Sequence, residues 1–481
     1  MTVLTAKAAM ATMIRPRDVF RHPATLLGAV LLGAWCGTLF PGAATVLATF
    51  STLYLALLQM ASLPFVVLAV FFGLQRLPTL PGAGKRVLLL VALSALAMLL
   101  CAVVGALVAG LTSAGAGMSA AQTAALGRLA LRSETQLVMA LRGAEAADPG
   151  LWQLGALVPD NLFAVLAYGS VPSVFIGVLF FGFAIAVQGP EASRHLSAIC
   201  EGIYRALEAL INHFNALLPA ASFVLAAAAT SAAGADAIVL LGSFLGAFFA
   251  SAAVVGALAV ATIAWRLKKS FWTVLMALRD PITVALFSPV AVAAVPGFIQ
   301  AMSVKLGFSR ALVELFSPIA PVFIKAGEAM FFAVLAVFVA NLYGHALSGA
   351  DLAMICLLSW AAAAWSVGIV GIKSVILGGF VLSALGLPLE AVLPVFILVE
   401  ALCEGARNLL SFLVSSALIA LLSDGLYINN EQVSETWQTS VLNLRFSRRQ
   451  ALSGLLLLAI ALFTVFCAGV GFGLRRAIFS V

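Results

Sequence analysis

Six ionisable side chains lie within or beside apolar stretches of the C-terminal half: Lys325, Glu328, Lys373, Glu400, Glu404 and Arg407. By insertion scales each costs roughly 2.5–3.5 kcal/mol at the centre of a membrane helix, so each needs a partner or a water-filled cavity. The set contains as many cations as anions, so as a group it can balance. Glu400, Glu404 and Arg407 are spaced i, i+4, i+7, which puts them along one helix face. Lys325 and Glu328 stand three apart around Gly327. One reading of such residues is structural pairing between helices; the other, favoured by their density, is a substrate or proton path. A planar guanidinium in a low-dielectric site is the natural partner of a carboxylate, so Arg407 points to an anionic or amino-acid substrate.

The elements that position these residues must be membrane helices. The 481-residue chain is 63% hydrophobic and 9% charged, with a mean hydropathy of +1.14, against roughly 25% charged in a soluble domain. Lipid offers no partner to exposed backbone, and the long apolar runs lack the short alternation of a β-barrel, so an all-α membrane protein is expected. About 20 apolar residues suffice to span. Such runs fall near 24–40, 47–74, 87–111, 160–187, 205–230, 238–265, 315–343, 391–422 and 452–474. Two further stretches are interrupted: 270–303 by Pro281, Pro289 and Pro296, and 353–386 by Lys373, Gly378 and Gly379. Paired breaks of this kind predict re-entrant hairpins around a midplane site, with proline kinks in ordinary spans as the alternative.

The cysteines (Cys36, Cys101, Cys200, Cys356, Cys403 and Cys467) form no CxxC pair and read as small buried hydrophobes. His22, His195, His213 and His345 lack metal-ligand spacing, and neither a Ser-His-Asp set nor a phosphate loop stands out. No metal site, no cofactor and no enzymatic chemistry is therefore expected. The net charge of +7 comes from cations at the ends of apolar runs, such as Arg76, Lys85 and Arg86, or Arg266, Lys268 and Lys269. That is the pattern of membrane topology and not of nucleic-acid binding. These loops fall on one side, taken as cytoplasmic together with residues 1–23, while the loop 112–158 lies outside. Arg475 and Arg476 fall on the outer side in this count. The expectation is a multi-pass protein of the cell inner membrane, with lipid as a partner.

The residues that carry a family resemblance are spread along the chain. Pro318 to Gly344 (PIAPVFIKAGEAMFFAVLAVFVANLYG) resembles the seventh helix of the dicarboxylate/amino acid:cation symporter family, which has the glutamate-transporter fold, and Leu398 to Ser415 resembles its eighth. Leu57 to Leu74 resembles the second helix, and Val158 to Ile185, opening VPDNLF, the fourth. The resemblance covers roughly 24–422. It implies eight transmembrane helices plus two re-entrant hairpins near 271–303 and 361–386, and a homotrimer. Residues 24–230 would be mainly scaffold, apart from the third helix at 87–111, and 238–422 the core of a mobile transport domain. A linker at 423–451 and an additional C-terminal helix in 452–481 have no counterpart in the family pattern.

The resemblance also assigns sites. The two acids, the arginine and the polar residue of the family's eighth helix fall on Glu400, Glu404, Arg407 and Asn408. Arg407 would bind a substrate carboxylate, Glu404 an amino group or a proton, and Asn408 and Ser411 would complete the pocket. The family's sodium-holding Asn and Asp fall on Ser411 and Ser415, and its Asn-Met-Asp-Gly-Thr motif on Ile324, Lys325, Ala326, Gly327 and Glu328. Only the glycine is kept. The serine-rich tip of hairpin one falls on Pro289, Val290, Ala291 and Val292, and the polar cluster of the third helix is reduced to Ser94. The coupling site would therefore be Lys325, Glu328, Glu400 and Ser415, with the Lys325 ammonium in the space of a sodium ion and a proton on one of the glutamates. The function so implied is symport of a small dicarboxylate or acidic amino acid by an elevator-type mechanism, without sodium coupling of the usual kind. The competing reading is a non-transporting trimeric platform for a binding or signalling partner.

Overall fold

The computed structural model describes residues 23–39, parts of 50–72, 83–117, 171–187, 190–233, 241–288, 291–366, 372–387 and 389–423. The expected C-terminal helix at 452–474, most of the 112–158 loop and the VPDNLF segment lie outside the described residues. What is described is helical, and the chain is an all-α membrane protein. Among the described residues, Leu88–Leu111, Leu196–Ala228, Gly242–Leu267 and Leu402–Leu422 are long and apolar enough to cross a bilayer.

The first helices are α1 (Pro23–Leu39), α2 (Ala83–Leu111), α3 (Val171–Val187), α4 (Pro190–Phe214) and α5 (Leu218–Ala233). The expected span 205–230 lies within the continuous helical run Leu196–Ala228, in which a 3₁₀ turn at Asn215–Leu217 separates α4 from α5. The two halves differ in chemistry. α4 carries charge on one face, including the exposed pair Glu201–Arg205, whereas α5 is uncharged and rich in alanine. α5 packs along α1. Gly33 and Gly37 of α1 face the backbones of Phe223 and Ala227, so small residues set this close approach.

The second set begins with α6 (Gly242–Leu267), which ends on Lys268 in the left-handed region, φ 52°. The region expected as hairpin one follows as α7 (Phe271–Phe287), a 3₁₀ turn at Ala291–Ala294, α8 (Val295–Gln300) and a π turn at Ala301–Lys305. Its arms meet where Gly297 opposes Pro281, and Lys305 of the second arm donates to Asp280 of the first at 3.2 Å. Then come α9 (Arg310–Phe323), α10 (Ala326–Leu342), α11 (Gly349–Trp365), α12 (Ile372–Ala384) and α13 (Leu389–Leu422). A capping box of Ser348 and Asp351 starts α11, and Lys373, Gly378 and Gly379, expected as an interruption, lie within α12.

α10 is apolar on every side and buried from Ala326 to Ala340, as an all-round apolar helix must be when it sits in a core. It packs on α2, α11, α6 and α13. Phe244 and Phe248 of α6 meet Phe331 edge to face at 5.7 Å, and Phe244 meets Phe338 at 5.6 Å. α13 in turn touches α6, α7, α9 and α12, and its Phe412 stacks on Phe298 of hairpin one at 4.6 Å. α10 and α13 are thus the two elements around which the rest of the C-terminal half is arranged.

Candidate functional site

The stretch expected as one span at 315–343 is broken at Ile324 and Lys325, between α9 and α10. Lys325 has φ −86° and ψ 49°, outside the helical region, and the start of α10 has no side-chain cap. Non-helical backbone at this depth is tolerated only inside protein or beside a cavity. Gly327, the second residue of α10, is where α10 meets α13. A Cβ there would fall on the backbone of Arg407. Gly405 is similarly pressed against the carbonyl of Leu286 in hairpin one. Two glycines therefore bring three backbones to one point.

That crossing delivers the charges. The Arg407 side chain, 2% exposed, donates one Nη to Glu328 of α10 at 2.8 Å. It donates the other to Glu400, two turns away on α13. Its guanidinium lies 4.8 Å from the ring centroid of Phe331. Glu328 and Glu400 are buried, and Glu328 sits in the first turn of α10, where the helix dipole favours a negative charge. One guanidinium thus answers two carboxylates, which suits its planar fork and would not suit a lysine.

Lys325 is 4% exposed. Among the described residues no group lies within hydrogen-bond or ion-pair distance of its ammonium, although Glu328, Arg407 and Glu404 are within its electrostatic reach. Glu404 is half-buried on α13, within reach of Glu400, Arg407 and Glu328 but in ion-pair contact with no described residue. Asn408 is half-buried next to Arg407. Ser411 and Ser415 are buried, and each hydroxyl is spent on its own helix: Ser411 donates to the Arg407 carbonyl at 3.1 Å, Ser415 to the Ser411 carbonyl at 2.6 Å. Ser94 likewise bonds within α2, to Val91. Lys373 stands in the first turn of α12, and its side chain is outside the described set, as are Pro289 and Val290.

The structure therefore brings Glu328, Glu400 and Arg407 into direct contact, with Lys325 and Glu404 beside them. Spacing along α13 made the Glu400–Arg407 pairing legible. The Glu328–Arg407 bond joins residues 79 apart in the chain and carries no local signal.

Sequence reasoning also missed a contact between hairpin one and the α4–α5 turn. Buried Asn215 donates Nδ2 to the Ala293 carbonyl at 3.0 Å, and Ser222 donates to the Phe287 carbonyl at 3.4 Å. Leu26, Tyr54, Leu218, Ala221 and Ala293 close around them. The polar run Asn212, His213 and Asn215 inside an apolar stretch was the available signal. Asn215→Leu is expected to loosen this contact. Amide hydrogen exchange across 288–300 should rise by up to about tenfold, the worth of one buried hydrogen bond, while exchange in α10 stays unchanged.

Comparison with known proteins accords with this architecture. The sodium:dicarboxylate symporter family profile matches residues 23–425. The C4-dicarboxylate transport protein of Rhizobium etli is 23% identical over 410 residues, covering 82% of this chain and 87% of the relative. That of Rhizobium meliloti is 24% identical over 361 residues, covering 73% and 78%, and that of Paracoccus denitrificans 22% identical over 385 residues, covering 79% and 80%. The broken helices, the buried charge cluster and a match along most of the chain lead to one conclusion: this membrane protein belongs to the sodium:dicarboxylate symporter family and is a transporter, not an enzyme.

Proposed function

We propose that this protein carries a C4-dicarboxylate across the cell inner membrane, coupled to protons rather than to sodium. The observation that carries the reading is the Arg407 guanidinium, buried between helices and held by Glu328 and Glu400. A substrate carboxylate reaches Arg407 by replacing one of these glutamates. A proton added to Glu400 makes that exchange favourable, because the neutral acid holds the guanidinium less tightly than a substrate carboxylate does. Proton and anion then enter together. Glu404 and Asn408 border the pocket, and Glu404 leaves room in the reading for an acidic amino acid.

The case against sodium rests on the donor set. The resemblance places the family's sodium-holding Asn and Asp at Ser411 and Ser415, where neutral hydroxyls replace the amide and the carboxylate. Lys325 places its amine at the helix break. Movement would be elevator-like, with a homotrimeric scaffold, a cytoplasmic N-terminus and hairpin two as the outer gate. The platform reading has one observation in its favour, the loss of hairpin-one hydroxyls.

The test is uptake of labelled succinate, fumarate and aspartate into proteoliposomes under separately imposed proton and sodium gradients. Accumulation is expected to follow the proton gradient and to be indifferent to sodium. Accumulation that rises steeply with sodium at fixed pH would contradict the coupling. Failure of all three substrates under both gradients would favour the platform.

A further inference from the structure

A dicarboxylate carries two anionic ends, and the site described above spends its arginine on only one. We infer that Lys325, together with the uncapped N-terminus of α10, is the anchor for the second carboxylate and sets the preference for dianions over monoanions. This rests on the dicarboxylate reading above and assigns its second contact.

Three observations converge on the break. The first is a buried amine without a partner among the described residues. Lys325 is 4% exposed and has no hydrogen-bond or ion-pair partner among the described residues, whereas buried charges are normally paired. The second is backbone. α10 is 17 residues long, begins at Ala326 with no side-chain cap, and takes up its helical bonding with the Ala329 amide, which donates to the Lys325 carbonyl. The amides of Ala326, Gly327 and Glu328 therefore precede the intrahelical ladder, and such amides bind anions. The third is placement. Lys325 lies within electrostatic reach of Arg407, Glu328 and Glu404, so it belongs to the cluster around Arg407 and not to a separate surface.

Charge counting points the same way. Lys325 and Arg407 carry two positive charges against three glutamates, Glu328, Glu400 and Glu404. With all of them ionised the cluster is net negative and repels a dianion. As the glutamates take up protons it becomes a pair of cations matching a pair of carboxylates. A monoanion leaves Lys325 buried without a partner, which is costly, so the same lysine that attracts the second carboxylate penalises its absence. Glu328 in the first turn of α10 keeps Lys325 from acting as a general anion trap while that glutamate is charged.

The probe is succinamate, the monoamide of succinate, which keeps the length and shape and removes one charge. Binding of succinate and succinamate to the purified full-length protein is measured by titration calorimetry, for wild type and Lys325→Met. The wild type should bind succinate about 100-fold more tightly than succinamate, the effect of one desolvated charge pair. In Lys325→Met succinate should fall to the level of succinamate, and Lys325→Arg should recover most of the difference. A folding defect would weaken both ligands and leave their ratio intact, and that result overturns the inference. So does a Lys325→Met variant that binds succinate as the wild type does and gains dependence on sodium, which would make the lysine a stand-in for a cation only. A wild type that binds neither ligand would instead sink the dicarboxylate reading itself.

Discussion

Arg407→Met is expected to destabilise the protein by about 3–5 kcal/mol and to abolish uptake, because it leaves two carboxylates buried without their cation. Glu328 and Glu400 are 6% and 5% exposed, so water cannot take over from the guanidinium. Arg407→Lys should not restore the site, since a single ammonium cannot reproduce the fork that serves one carboxylate on α10 and another on α13. The informative variant is the triple change Arg407→Met, Glu328→Gln, Glu400→Gln. Removing all three charges together should recover most of the thermal stability, read as the surviving size-exclusion peak after heating, while uptake remains lost. A single Arg407→Met variant as stable as the wild type would mean that the two ion pairs do not hold α10 to α13.

Gly327→Ala carries the second large effect. The added methyl meets the backbone of Arg407, which cannot turn away as a side chain could. The α10–α13 crossing must open, and with it the 2.8 Å bond between Arg407 and Glu328. Overpacking of this kind costs about 1–3 kcal/mol, and here the loss of an ion pair adds to it. Folded yield and uptake should both fall sharply. Gly246→Ala is the control: nothing lies within 4 Å of the added methyl, and replacing a helical glycine by alanine is neutral to favourable. Equal behaviour of the two variants would show that the crossing tolerates more space than its geometry implies.

The same glycine shows what the sequence could and could not say. Its survival in a motif otherwise lost was visible, and so were the charges around it. Its reason was not, because the partner backbone comes from a residue 80 positions further on (407 − 327). The all-α membrane architecture was legible because composition and run length leave no other solution in lipid. Of the prolines expected to interrupt 270–303, Pro281 lies inside α7 and Pro296 in the first turn of α8, so proline alone did not place the helix ends there. The break at Ile324–Lys325 was not legible, since neither residue is a glycine or proline and the pair sits within an apolar run long enough to span. The resemblance alone marks Ser411 and Ser415 as ligand positions; that their protons go to the carbonyls one turn back was not legible in the sequence.

The central claim is that the Arg407 cluster passes a dicarboxylate without sodium. Counterflow tests it most directly, because exchange needs the binding site and the conformational change but no driving gradient. Proteoliposomes loaded with unlabelled succinate and diluted into labelled succinate, in sodium-free buffer with no pH difference, should show transient accumulation of label that Arg407→Met lacks. Accumulation that appears only when sodium is present on both sides, or that persists in Arg407→Met, would contradict the account.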